Sequence, residues 1–159
     1  MTIKDFARWF IKKPRIDAKE HRPYAHEREV WWCHLGTNIG SEQDGKGPES
    51  TRPVLIYRKF NRRTCWVIPI TTREKENAFY IPIDINDDRK RLALIHQMRM
   101  IDFKRLSKKI GTSSKESFDH VTNAITQISS VDWIYKKSEA ALVSAASEAE
   151  AICDTIILP

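Results

Sequence analysis

Arg52, Thr71 and Glu42 have side chains suited to work on a phosphate ester. Arg52 opens the run RPVLIYR, Thr71 ends the run TCWVIPIT, and Glu42 stands between Ser41 and Gln43 in the polar segment GTNIGSEQDGK. A guanidinium is a planar, permanently charged fork that can hold two phosphoryl oxygens. A threonine hydroxyl can hydrogen-bond a third oxygen or orient an attacking hydroxyl, and a carboxylate can accept a proton or a base edge. Each also has an ordinary reading: a solvated Arg at a strand end, a β-branched strand terminus, an exposed loop acid. Should the strand register slip by one residue, Thr72 takes the place of Thr71. His96, with a reference pKa near 6.5, can shuttle a proton or be satisfied within a strand pair.

Charge favours the phosphate reading. The 159 residues hold 27 Lys+Arg against 21 Asp+Glu, a formal net charge of +6. Residues 130–159 have two basic and five acidic residues, so −3 lies in the tail and +9 in residues 1–129. A surplus of that size suits a polyanion, whose counterions are released on binding, or else serves solubility. Lys46, Arg58, Lys59, Arg62, Arg63, Arg73 and Lys75 lie in or beside the loops that flank the candidate residues, and Phe60 and Trp66 can stack on bases. Trp31, Trp32, Trp66 and Phe79 suit a core that needs large fillers.

The elements that must position these groups are mostly strands. The runs 29–35, 52–58, 64–71, 78–84 and 92–99 are rich in Val, Ile, Trp, Tyr and Thr, the pattern of a small β-barrel or sandwich with flanking helices. Gln97 and Arg99 then share one face of the last strand, where Arg99 contacts phosphate or pairs with Asp102. Residues 2–13 space Ile3, Phe6, Ala7 and Phe10 as a short amphipathic helix, capped by Thr2 and Asp5, packed on the core and ended by Pro14. Residues 14–27 read as a linker. Asp102 caps a basic turn, FKRLSKKI, and Ser113 with Glu116 forms a capping box for a helix bearing Phe118, Val121, Ile125 and Ile128, which should close one side of the barrel. The organisation expected is therefore an N-terminal helix and linker (1–27), a barrel domain (28–129) and an acidic helical extension (130–159), whose Leu142, Ala145, Ala149, Ile152 and Ile156 make a weak heptad seam.

Cys33, Cys65 and Cys153 show neither a disulfide framework nor a zinc-ligand spacing and are expected to be buried or half-buried thiols. His21 and His26 give little support to a metal site, and no cofactor is expected. No segment reads as a signal peptide or a membrane span, so the chain is expected to be cytoplasmic.

Four ordered motifs carry a resemblance: EVWW at 29–32, GSEQ at 40–43, RPV at 52–54 with PIT at 69–71, and QMRMID at 97–102, followed by Lys104-Arg105-Leu106 and Lys108-Lys109-Ile110-Gly111. In this order they resemble the PemK/MazF family of toxin ribonucleases from type II toxin–antitoxin systems. The resemblance implies a mainly β fold, an SH3-like small β-barrel of the PemK/MazF/CcdB kind with a C-terminal helix, working as a homodimer. It implies a sequence-specific endoribonuclease (an mRNA interferase) that cuts single-stranded RNA without a metal. The RNA 2′-OH would attack the adjacent phosphorus, leaving a 2′,3′-cyclic phosphate and a 5′-OH. A cognate antitoxin would silence it, and DNA would be met only through that antitoxin; no membrane partner is implied. Arg52 and Thr71 match the family's catalytic arginine and threonine. Glu42 is the loop acid on this reading, and Ser41, Gln43, Lys46, Arg62, Gln97 and Arg99 hold RNA. Some branches of the family carry His at Ser41, an acid at the position of His96 and an Arg at that of Leu94, so their acid–base pair has no direct counterpart here. The segment from Asp44 to Thr51 is longer than in short members and could form a mobile flap or shift sequence preference. The alternative is a non-catalytic module on the same barrel that binds nucleic acid or blocks DNA gyrase. The acidic tail could screen the RNA surface or serve as a packing or dimer element.

Overall fold

The structure, a computed structural model, describes residues 4–73, 77–85, 87 and 89–130. Seven strands and two α-helices run in the order α1 (Phe6–Asp17), β1 (Glu29–His34), β2 (Thr51–Lys59), β3 (Thr64–Thr71), β4 (Tyr80–Pro82), β5 (Leu92–Leu94), β6 (Arg99–Asp102), β7 (Leu106–Thr112) and α2 (Lys115–Ser129). The described residues divide after Thr122 into two units, the second represented by the last turns of α2. Within the first unit the antiparallel sheet has the order β4-β5-β3-β2-β1-β7, with β6 also on β3. The fold is mainly β with flanking helices, as expected; the two ends of that path do not pair, so the sheet is not closed.

The expected strand at 92–99 is two strands separated by a 3₁₀ turn, Ile95–Gln97. Ile70 pairs with Ala93 and Val67 with Arg99, so a three-residue step along β3 spans a six-residue step from β5 to β6, and the surplus is the turn. Gln97 therefore sits in the turn and Arg99 begins β6, and the two do not share a strand face. The basic segment after Asp102 is a 3₁₀ turn capped by the Asp102 carboxylate, which accepts from Lys104 N at 2.8 Å, and then an additional strand, β7. Its burial pattern does not alternate, which hid it in the sequence. The cap of α2 is Ser114, whose hydroxyl accepts from Ser117 N at 3.2 Å, one residue beyond the expected Ser113. Phe118 of α2 lies 5.8 Å, centroid to centroid, from Tyr57 of β2, and Val121 is buried.

The core gathers alternate residues of the central strands, among them Cys33, Val54, Ile56, Cys65, Val67 and Ile101, with Phe103 and Leu106 behind them. Burial pushes the Cys33 and Cys65 thiols up to about 12, so both are inert fillers, as expected; Cys153 lies outside the described residues. Glu29, at the head of β1, is also buried and accepts from Lys109 Nζ (2.6 Å), Trp31 Nε1 (2.9 Å) and His26 N (3.0 Å).

Helix α1 departs from expectation in extent and in the face it buries. Asp5 is its cap, accepting from Arg8 N at 2.9 Å, and Pro14 lies inside it. Pro14 removes the hydrogen bond that its N–H would make to Phe10, but its carbonyl accepts from Ala18 N at 2.9 Å and the last turn is anchored by buried Ile16. The buried residues are Trp9 and Ile16, whereas Phe6 and Phe10 are exposed. Trp9 decides this: its indole lies on the backbone of Gly36, where a Cβ would stand 2.2 Å from Trp9 Cε2, and Gly36 has φ +85°. Only glycine permits both the conformation and the contact. The 18–28 segment is likewise packed, with Ala25 fully buried, Lys59 Nζ 4.0 Å above the Tyr24 ring and Arg22 paired with Asp102 at 3.1 Å. Asp102 thus takes Arg22 as its partner in place of Arg99. The acidic extension and its heptad seam lie outside the described residues.

Candidate active site

Arg52 is buried near the start of β2. Val54 faces Pro69 and Leu55 faces Ile68; continuing that register brings Arg52 opposite Thr71 at the end of β3. Both line one groove of about 870 Å³, with Lys46, Thr72, Arg89 and Arg91 around them and Trp32 on its wall. Arg52 Nε donates to the Asp44 carbonyl at 2.7 Å, and Nη1 makes a long 3.5 Å contact to the Ile70 carbonyl, so most of the fork remains for a ligand. Burial lowers the pKa of the guanidinium, Asp44 pulls it back up and Arg73 pushes it down again. From a starting value above about 12 the group remains a cation at neutral pH. The Thr71 hydroxyl accepts from Arg73 N at 3.1 Å, which holds the oxygen at the groove and leaves its proton to donate outward. Thr72 is exposed beside it.

The polar segment before β2 is built around Arg52. Asp44 accepts from Asn38 N at 2.6 Å, Asn38 Nδ2 donates to the Gln43 carbonyl at 2.9 Å, and Gly45 N donates to the Gly36 carbonyl at 2.8 Å. A Cβ on Gly45 would stand 1.8 Å from the Ser50 carbonyl oxygen. Lys46 bridges Thr51, so residues 46–51 of the long segment form a hydrogen-bonded turn. Gln97 fastens the GSEQ stretch from the other side: its Oε1 accepts from Gln43 N at 2.9 Å and its Nε2 donates to the Ser41 carbonyl at 3.3 Å. Gln43 and Gln97 therefore shape the loop, and Ser41 is exposed on it.

The remaining candidates stand elsewhere. Glu42 accepts from Ile39 N at 3.2 Å and lines a second cavity with Arg99 and Met100. Arg62 lines a third, with Lys59 and Phe60. His96 is exposed and stacks against Phe79 (5.4 Å) and Tyr80 (5.5 Å). Phe60 and Trp66 meet edge to face at 5.0 Å, partly exposed, while Trp32, assigned to the core from sequence, is 40% exposed on the groove. Trp66 is 39% exposed, so it too is no core filler. Among the described residues no three His, Cys, Asp or Glu side chains gather as they would around a metal ion.

Several contributors had no local signal. Lys4, before α1, donates to the carbonyls of Asn38 (2.8 Å) and Gly40 (3.0 Å) and pairs with Asp44 at 2.8 Å. Lys12 pairs with Glu49, and His34 Nδ1 bonds the Glu49 carbonyl at 2.9 Å. Arg91 is paired with Asp87 on the groove rim. The two carboxylates of the groove are thus each bound by a cation, which lowers the pKa of Glu49 through Lys12 and of Asp87 through Arg91.

Residues 26–129 match the family described as PemK-like, MazF-like toxin of type II toxin-antitoxin system. The chain belongs to this toxin family. Comparison with curated protein sequences found no relative. Among solved structures the toxin resembles MazF from Deinococcus radiodurans (16% identity, TM-score 0.56, covering 69% of this chain and 97% of that one). It also resembles a MazE–MazF complex from the same organism (13%, TM-score 0.51, 69% and 96%). A further likeness is to an endoribonuclease in complex with its cognate antitoxin from a mycobacterial species (14%, TM-score 0.50, 64% and 91%). At these identities the likeness is one of fold. Helix α1 and Lys4 precede the residues matched to the family, yet in this toxin they contact the loop that cradles Arg52.

Proposed function

We propose that this toxin is a metal-independent endoribonuclease acting on single-stranded RNA, with Arg52 and Thr71 at its centre. The carrying observation is the single groove lined by a buried Arg52, by Thr71 and by the cations Lys46 and Arg89, in a chain of this toxin family. Attack of a 2′-OH on the adjacent phosphorus builds negative charge on the phosphoryl oxygens. The free N–H groups of the Arg52 fork and the Thr71 hydroxyl meet that charge, and burial of Arg52 strengthens its effect. Glu49 and Asp87, held as anions by their cations, are poor bases. Catalysis on this reading rests on charge stabilisation, with the 2′-OH proton passing to water or, after a shift of the GSEQ loop, to Glu42. As the 2′-O–P bond forms the P–O5′ bond breaks, the departing 5′-oxygen takes a proton from water or from the protonated acceptor, and the products are a 2′,3′-cyclic phosphate and a 5′-OH. Trp32 offers a stacking face, and Lys46 and Arg89 track the backbone. Ser41, Gln43, Gln97, Arg62 and Arg99 belong to the loop and to the outer RNA surface, and His96 lies beyond the groove. The toxin acts as a homodimer, as the family resemblance implies, and is silenced by a cognate antitoxin, in keeping with the antitoxin complexes among its structural neighbours. Incubating wild type and Arg52→Ala with a long mixed-sequence RNA in EDTA tests this. Wild type should cut and leave 5′-OH ends, and the variant should be slower by about 10²–10³-fold, the loss seen for one oxyanion donor. Equal cutting by both, or cutting that needs a metal, overturns the mechanism.

A further inference from the structure

Along the flank of α1 beside its buried face, Arg8, Lys12 and Arg15 recur at helical spacing, with Arg8 and Arg15 exposed and Lys12 half-buried, and half-buried Lys19 continues the row just past the helix. With a rise of about 1.5 Å per residue the cations advance in steps of roughly 6, 4.5 and 6 Å. All four line a single cavity of about 680 Å³, together with His34, Pro48 and Glu49. Pro48 and Glu49 also line the groove that holds Arg52 and Thr71, so the two cavities share a wall. Two carboxylates face the row: Asp5, paired with Arg8, and Glu49, paired with Lys12. Four cations against two anions leave the cavity positive.

Resting on the ribonuclease reading of the groove, we infer that the α1 row is a binding site for the phosphate backbone of the same single-stranded RNA, extending the substrate path over the Pro48–Glu49 wall. Three features favour this ligand. The steps along the row are of the order of the spacing between successive phosphates of an extended strand. The site is continuous with a groove that already presents Lys46 and Arg89. An acidic peptide folding onto the surface would need apolar anchors as well as charge, and the cavity offers only Ile11, Ile16 and Pro48. The row lies outside residues 26–129, so it is a property of this chain and not of the matched core. It contacts phosphates and carries no base readout, so it raises affinity for long substrates without altering the cleaved sequence.

The test uses the full chain and its Arg8→Gln/Arg15→Gln variant, which spares Lys12 and Lys19 because they bind Glu49 and the Lys104 carbonyl. Binding is read by fluorescence anisotropy with mixed-sequence, fully 2′-O-methylated RNAs, which cannot be cut, of about five and about fifteen nucleotides, the span of known single-strand sites. The variant should bind the longer RNA several-fold more weakly. Its slope of log affinity against log salt should be shallower by about 1.4, the value for two single-strand phosphates. The short RNA should bind both proteins alike, and their melting curves should coincide. Unchanged binding of the long RNA, or an equal loss for both lengths, overturns the inference. So does loss of binding to a glutamate-rich peptide with RNA binding intact, which would assign the row to a protein partner. If wild type neither binds nor cuts any RNA, the ribonuclease reading itself falls. If it cuts RNA and the variant matches it at every length, only the α1 site falls.

Discussion

Arg52 differs from the other arginines in being buried and yet largely unspent, with Nε fixed on the Asp44 carbonyl, Nη1 making only a long contact to the Ile70 carbonyl, and the residue lining the groove. Arg52→Lys should therefore fail to restore cleavage, because an ammonium keeps the charge but loses the paired donors; single-turnover rates within about tenfold of wild type would contradict this. Trp32→Ala should weaken RNA binding by about 1–3 kcal/mol if the exposed indole stacks on a base, and titration with an uncleavable RNA measures it. Glu29 makes a pH prediction. Burial raises its pKa, but the hydrogen bonds from Lys109, His26 N and Trp31 and the Lys109 charge outweigh that and lower it. A lowered folded-state pKa contributes stability above the carboxylate's ordinary value, and that contribution is lost as pH falls through the folded-state value. Glu29→Gln should thus destabilise the protein near neutrality by about 1–3 kcal/mol and flatten the acid limb of its stability curve, as denaturant melts at several pH values would show. An unchanged acid limb would place the carboxylate's partners elsewhere.

At the scale of elements, α1 is coupled to the loop that carries the site. Lys4 holds two loop carbonyls and Asp44, Trp9 lies on Gly36, and Lys12 holds Glu49. Asp44 is also the residue whose carbonyl orients Arg52. Lys4→Met should lower kcat more than it raises KM, with little change in melting temperature, and Lys4→Arg should recover much of the loss. A fall in melting temperature equal to that of a destabilised control, or no rescue, would reduce Lys4 to a structural contact. Gly36→Ala should unseat Trp9, since the new methyl would meet the indole and the positive φ adds about 1–2 kcal/mol of strain. Combined with Trp9→Ala its effect should be much less than additive, which chemical denaturation of the double variant can show. The 3₁₀ turn at Ile95–Gln97 plays the matching role on the other side, delivering Gln97 to the loop.

For the whole molecule, charge is divided between a basic body and an acidic tail. Removing residues 130–159 would change the formal charge from +6 to +9. RNA association should then quicken at low salt and converge with the full chain as the Debye length falls to about 3 Å at 1 M. No difference at low salt would mean the tail does not screen the groove. Among the described residues no helix is long and apolar enough to cross a membrane.

The strands at 29–34, 51–59 and 64–71 were legible in the sequence because β-branched and aromatic runs between polar segments encode them locally. Arg52, Thr71 and the GSEQ loop were legible through their order along the chain. Pairing partners are not local, and so tertiary structure alone decided that the sheet stays open, that the 92–99 run breaks around a three-residue turn, and that β7 exists. It also moved Glu42 and Arg62 away from the groove, brought Trp32 into it, and joined Lys4 and Trp9 to a loop some thirty residues distant. A helix's apolar spacing says which of its faces can be buried, but the contacting surface chooses among them, and here a glycine with room for one indole chose Trp9 over Phe6 and Phe10.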